Sequence, residues 1–212
     1  MFRNPLSRLV VGLCLTVLLL AACRHQGPRQ ASSETEPPPP NQLKYKKGDR
    51  PVVPEDKVVI TLKTTRGTFK IRLHPEDAPV SCDNFVKLTE SGFYNGTIFH
   101  RVIPGFVAQG GDPTGTGAGG PGWRIPFEDS PRKHLLGSVG MARSQEKDSA
   151  GSQFYVCLAP QPGLDGNYVI FGEVIEGMDV VQKIQPTENR GTGPVPASVE
   201  RDKILEAVAG SK

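Results

Sequence analysis

With 212 residues, 25 of them basic and 22 acidic, the chain carries a formal net charge of +3. That length predicts one domain with an appendage, and no basic stripe interleaved with aromatic residues points to nucleic acid as a partner. The four histidines are isolated and no C-x-x-C, H-E-x-x-H or G-x-S-x-G occurs, which argues against zinc, dithiol and serine-hydrolase chemistry. No metal and no cofactor is expected.

Arg3 and Arg8 form a basic region before an apolar run, 9–20, that ends Leu20-Ala21-Ala22-Cys23. The run is shorter than the ~18 apolar residues a membrane span requires, so it reads as a secretory signal. Without Arg3 and Arg8 the charge falls by two, to +1. The Leu-Ala-Ala-Cys ending resembles a bacterial lipobox. The resemblance implies cleavage before Cys23 and lipid on its sulfur. Residues 1–22 are then a lipoprotein-type signal peptide. The mature chain is expected in the bacterial cell envelope, anchored to a membrane through Cys23 and facing the extracytoplasmic side. A plain signal peptide with Cys23 unmodified and a single transmembrane anchor are the alternatives.

Residues 23–56 contain Pro37-Pro38-Pro39-Pro40 and a mixed-charge stretch, 44–50. Little apolar periodicity means little surface to bury against chain entropy, so this segment reads as a disordered Pro-rich linker. Its four prolines favour an extended spacer. The folded domain is expected over 57–209. Residues 58–62 and 69–73, joined by a turn at 65–68, read as a hairpin. Ala78-Pro79-Val80 opens a helix, Val80, Phe85, Val86 and Leu88 form its apolar stripe, and Gly92 stops it. Asn95-Gly96 turns the chain into the next strand.

That strand begins the most informative stretch, 99–112. Alternation places Phe99 and Arg101 on one face and His100 and Val102 on the other. A turn at Pro104-Gly105 brings back a second run carrying Phe106 and Gln109. One guanidinium, one amide and one aromatic ring then converge, a surface that holds a peptide and lacks a nucleophile. His100 reads as a satisfied core histidine. The glycine-rich loop that follows contains a G-x-G-x-x-G match, 115–120, but Pro113 and Pro121-Gly122 bar the strand and helix of a dinucleotide site. Short apolar runs at 136–141, 154–158 and 168–174 read as strands, 177–184 as a second helix with Met178, Val181 and Ile184 on one face, and 203–208 as a last strand closing the sheet. Cys82 and Cys157 read as buried free thiols.

Three ordered motifs carry a resemblance: 99–112, then Gly151-Ser152-Gln153-Phe154-Tyr155-Val156-Cys157, then Leu164-Asp165-Gly166-Asn167-Tyr168-Val169-Ile170-Phe171-Gly172. Together they resemble the cyclophilin family of peptidyl-prolyl cis/trans isomerases, over roughly residues 57–184 and more weakly to 208. The resemblance implies an all-β fold, a closed eight-stranded antiparallel barrel with two capping helices, acting as a monomer on proline-containing polypeptides. It implies that Arg101, Phe106 and Gln109 are the catalytic residues. Phe106, Val107, Tyr155 and Leu164 would line the proline pocket. Gln109 would hold the substrate carbonyl and orient Arg101. Ala142, Arg143 and Ser144 would form an edge against the substrate backbone, and Gln153 would stand at the entrance to a second pocket for the residue before proline. Tyr168, counted with the substrate-binding residues, stands where many relatives have histidine. Val107 replaces a frequent methionine, and Arg143 a frequent asparagine.

The chemistry such a site performs follows from amide resonance. The prolyl bond turns over a barrier of about 18–20 kcal/mol because conjugation is lost at the twisted state. The twisted nitrogen regains a lone pair, which a fixed arginine can hydrogen-bond only then, so binding favours the transition state. The leading reading is therefore an exported, lipid-anchored isomerase that assists folding of exported proteins. The alternative is a non-catalytic lipoprotein or chaperone module that binds proline peptides. Gly163 stands where many eukaryotic relatives carry a tryptophan that contacts cyclosporin. Loss of an aromatic anchor costs more than about 2 kcal/mol, so cyclosporin should bind weakly and Gly163→Trp should tighten it. Nanomolar inhibition of the wild type in a titration would contradict this.

Overall fold

The computed structural model describes residues 44–189, 193–194 and 200–210. The signal peptide, Cys23 and the proline run lie outside the described residues. Among those described, no helix is long and apolar enough to cross a membrane.

Strand β1 (Val59–Thr64) and strand β2 (Gly67–Leu73) form the expected hairpin, paired from Val59 with Arg72 to Thr64 with Gly67. Alternation sends Ile60 and Leu62, with Phe69 and Ile71, to the fully buried side. The remaining strands are β3 (Arg101–Val102), β4 (Val107–Gly110), β5 (Ser138–Met141), β6 (Phe154–Cys157), β7 (Ile170–Glu176), β8 (Glu188–Asn189), β9 (Gly193–Pro194) and β10 (Ile204–Ala209). Eight of them make one antiparallel sheet in the order β10-β1-β2-β7-β5-β6-β4-β3, while β8 and β9 pair separately.

The expected closed barrel is corrected to an open half-barrel with edges at β10 and β3. Strand β3 has two residues and cannot form a ladder along the six of β10. One isolated bridge, Ile98 to Lys203, and main-chain hydrogen bonds from Phe99 N to Asp202 O (2.9 Å) and Ile204 N to Thr97 O (2.9 Å) cross the gap. The shortness of β3 also overturns the expected faces. Phe99 precedes the ladder and turns into the core, 6.5 Å from the Phe154 ring, while Arg101 stays half-exposed.

Helix α1 (Pro79–Glu90) packs against β7 and β10 with Phe85 and Leu88 fully buried. Ala78 at its N-cap offers no side-chain acceptor. Glu128 supplies one from a distant loop, accepting from Val80 N and Ser81 N at 2.8 Å each, a carboxylate at the positive end of the helix. Helix α2 (Met178–Gln182) is shorter than expected and lies on β2. Gly177 enters it at φ +77°, where a Cβ would stand 2.5 Å from Thr68 O, so only glycine fits.

The linker boundary at 56 is set too late. Tyr45 packs on the core and its hydroxyl donates to Asp83 at 2.8 Å, Val53 is buried, and Arg50 donates to Glu76 O at 3.1 Å. The described part of that segment is a strap over the start of α1. Cys82 and Cys157 are free and buried.

The glycine-rich loop folds around one carboxylate. Asp112 is fully buried and accepts from Thr114 N (2.7 Å), Thr114 Oγ1 (2.8 Å), Gly117 N (2.6 Å) and Gly119 N (3.1 Å). Burial raises its pKa, but these bonds outweigh burial and bring it from 3.8 down to about 2. A lowered folded-state pKa gives stability that is complete above the unfolded value, about 3.9, and lost as pH falls toward 2. Asp112→Asn should cost about 1–3 kcal/mol at neutral pH, the range for buried acceptors left unmatched. It should also flatten the loss of stability below about pH 4. Denaturant unfolding across that pH range measures both; an Asn variant as stable as wild type at pH 7 would contradict the assignment.

Candidate active site

The centre of the site is the hairpin of β3 and β4, in which Arg101 lies opposite Gln109 and Val102 opposite Ala108. Its turn is type II: Phe106 N donates to Ile103 O at 2.9 Å, with Pro104 first and Gly105 second at φ +67°. Proline presets the first position and glycine accepts the left-handed second. The turn folds Phe106 back so that the Arg101 guanidinium sits 5.4 Å from its ring centroid.

Strand β6 continues the sheet beyond β4 and sets Tyr155 opposite Gln109. A cavity of about 140 Å³ opens here, lined by Arg101, Phe106, Val107 and Gln109 from the hairpin, Tyr155 from β6, and Ala142, Arg143, Leu164 and Tyr168 from flanking loops. Phe106, Ala142, Leu164 and Tyr168 pack on a small apolar cluster of Val107, Tyr155 and Cys157, separate from the main core. Burial pushes the Cys157 thiol up to about 12, so it is no nucleophile at neutral pH.

A second cavity of about 510 Å³ adjoins the first. Gln109, Ala142 and Arg143 line both, while Ser144 and Gln153 line only the larger. Gln153 ties the wall together: its amide donates to Gly117 O (3.0 Å) and Gly119 O (2.9 Å), and its carbonyl accepts from Gln109 Nε2 (3.0 Å). Every residue assigned to the site through the resemblance, apart from Cys23, thus lines one of two joined cavities. Ser144 donates to Ser149 at 2.8 Å.

His100 is not a satisfied core histidine. Both ring nitrogens are buried without a hydrogen-bond partner among the described residues, beneath the glycine loop at Gly117. Burial, joined by the Arg101 charge, lowers its pKa against the opposing pull of Asp112. Among the described residues no cluster of His, Cys, Asp and Glu is placed to hold a metal.

Sequence reasoning missed His134 and the role of Asp165. His134 is buried, with Nδ1 2.9 Å from Asp165 Oδ1 and Nε2 2.8 Å from the Tyr155 hydroxyl. A proton on Nδ1, given to the carboxylate, leaves Nε2 to accept the tyrosine proton. The Asp165 carboxyl is held below its ordinary pKa by the His134 main-chain N–H and then by the ring. The chain of contacts fixes the Tyr155 ring, and Gly140 leaves it room, since a Cβ there would fall 2.4 Å from the hydroxyl. His134→Ala should destabilise by about 1–3 kcal/mol by leaving a buried hydroxyl unpaired. Tyr155→Phe should keep most turnover of an Ala-Pro peptide, because the ring, not the hydroxyl, shapes the pocket. Thermal unfolding and an isomerisation assay read the two; loss of turnover in Tyr155→Phe would give the hydroxyl a chemical role.

The match with known proteins agrees with this geometry. The model of the family "Cyclophilin type peptidyl-prolyl cis-trans isomerase/CLD" matches residues 59–208. A peptidyl-prolyl cis-trans isomerase of Helicobacter pylori is 50% identical over 129 residues, covering 59% of this chain and 78% of that protein. One from Synechococcus elongatus is 47% identical over 126 residues, 58% of this chain and 86% of that protein. A crystal structure of a Cryptosporidium parvum cyclophilin-type isomerase, obtained in the presence of the dipeptide Ala-Pro, has a TM-score of 0.64 and 34% identity, covering 73% of this chain and 99% of that one. With the family match spanning most of the chain and the hairpin, pocket and paired cavities all in place, this protein belongs to the cyclophilin-type peptidyl-prolyl cis-trans isomerases.

Proposed function

We propose that this isomerase binds the proline of an Xaa-Pro peptide in the smaller cavity and lowers the rotation barrier with Arg101. The observation that supports this is the placement of Arg101 opposite Gln109 and over Phe106, in the wall of a pocket sized for a small ring. Phe106, Val107, Leu164, Tyr155 and Tyr168 supply apolar contact to the ring. Gln109 carries a second amide hydrogen besides the one given to Gln153, available for the substrate carbonyl. As the amide twists, the nitrogen pyramidalises and Arg101 donates to its lone pair. Nothing covalent forms and no proton is transferred.

Arg101→Ala should lower kcat/KM by roughly 10²–10³, as when a preorganised donor is removed. Arg101→Lys should recover only part, because a point charge on a flexible stem lacks the planar fork. Activity should be flat from about pH 6.5 to 9, since arginine stays charged there and the pKa of His100, the histidine adjoining Arg101, is lowered from its ordinary value. Chelators should leave it unchanged. Near-wild-type turnover in Arg101→Ala, or a steep pH profile, would contradict the mechanism.

We further propose that the chain works at a membrane surface on exported polypeptides. Leu20-Ala21-Ala22-Cys23 motivates this, as does the proline-rich segment that would hold the domain away from lipid. A single acyl chain anchors weakly and two or more anchor stably. The wild type should therefore fractionate with membranes and carry lipid mass on Cys23, and Cys23→Ala should carry none. Mature wild type in the soluble fraction with Cys23 unmodified would contradict anchoring.

A further inference from the structure

Arg143 is the ridge between the two cavities. The chain beside it is fixed by Ala142 N donating to Gln153 O at 2.9 Å. The guanidinium lies 4.6 Å from the Tyr168 ring centroid. Nε and Nη2 donate to Asn167 O at 3.0 and 2.8 Å. Nη1 donates to Ser144 O at 2.8 Å and Gln145 O at 3.1 Å. Four of the five N–H donors of a guanidinium are thus committed, all to peptide oxygens, and one remains on Nη2. Neutral acceptors fix the position of the charge without cancelling it. Among the described residues lining either cavity there is no aspartate or glutamate. Across the larger cavity Arg124 is engaged by Glu146 at 3.2 Å, whereas Arg143 has no acidic partner among the described residues.

We propose that Arg143 is a specificity determinant favouring an acidic side chain at one of the two residues preceding proline. The assignment rests on the reading of the smaller cavity as the proline pocket. A peptide seated there must pass Arg143 to place its preceding residues in the larger cavity. A carboxylate on those residues meets a half-buried cation that is already held in place, so little side-chain entropy is lost in pairing. A lysine meets the same charge and is repelled. The ring stacking and carbonyl bonds that hold the guanidinium are the reason it attracts at a defined place rather than as a mobile surface charge.

The test is exchange spectroscopy on the full chain with two peptide series, Ala-Xaa-Ala-Pro-Phe and Ala-Ala-Xaa-Pro-Phe, where Xaa is Glu, Gln or Lys. In one series or both, kcat/KM for Glu should exceed that for Gln by about threefold to tenfold and Lys should fall below Gln, the gap narrowing at high salt. R143A should lose the discrimination between Glu and Lys, and R143K should retain part of it. Equal turnover of the Glu and Lys peptides by the wild type, or discrimination that survives in R143A, would overturn the assignment while leaving the isomerase reading intact. Failure to turn over even the Gln peptides would overturn that reading and this assignment with it.

Discussion

Everything at the site depends on one short antiparallel pairing, two residues of β3 against β4. It sets Arg101 opposite Gln109, and only the type II turn at Pro104-Gly105 returns Phe106 beneath the guanidinium. A two-residue strand has little stability of its own. It is held because β4 is inside the sheet, hydrogen-bonded to β6, and because Val102 and Phe99 are buried in the core on either side of the arginine. The half-barrel is thus a support that fixes a cation at its open edge, which suits a mechanism based on a preorganised donor.

The loops around this edge are ordered by polar groups, locally at Asp112 and across long sequence separations at Gln153 and His134. Asp112 gathers the glycine-rich loop, Gln153 joins that loop to Gln109, and His134 with Asp165 fixes Tyr155. Each contact satisfies a group that would otherwise be costly to bury. Together they give the smaller cavity, proposed above as the proline pocket, a wall already held in place.

How much of this was legible in the sequence follows from how local each signal is. The first hairpin and α1 were legible because alternation, a proline near the helix start and a glycine after its end act within a few residues. The Arg101 and Gln109 pairing was legible because Pro104-Gly105 fixes the turn between them. The side taken by Phe99 was not, because alternation assumes a continuing strand and the ladder begins only at Arg101. The open sheet was not, because closure depends on how β3 meets β10, a hundred residues apart in the chain. His134 gave no signal, since its partners lie 21 and 31 residues away. The strap at Tyr45 and Val53 was hidden in a polar composition, because its main polar anchor, Asp83, is 38 residues distant. The family resemblance supplied the site residues that periodicity alone did not single out, Ala142, Leu164 and Tyr168 among them.

The central claim is that Arg101 acts on the twisted amide rather than on the bound ground state. The most direct measurement is exchange spectroscopy on a single Ala-Pro peptide with wild type and Arg101→Ala, reading the on-enzyme cis/trans rate and the Kd from the same sample. The account predicts that the exchange rate falls by roughly 10²-fold or more while the Kd changes only slightly, the signature of an interaction made in the transition state. A Kd that weakens in proportion, with the on-enzyme rate unchanged, would contradict it and make Arg101 a binding residue.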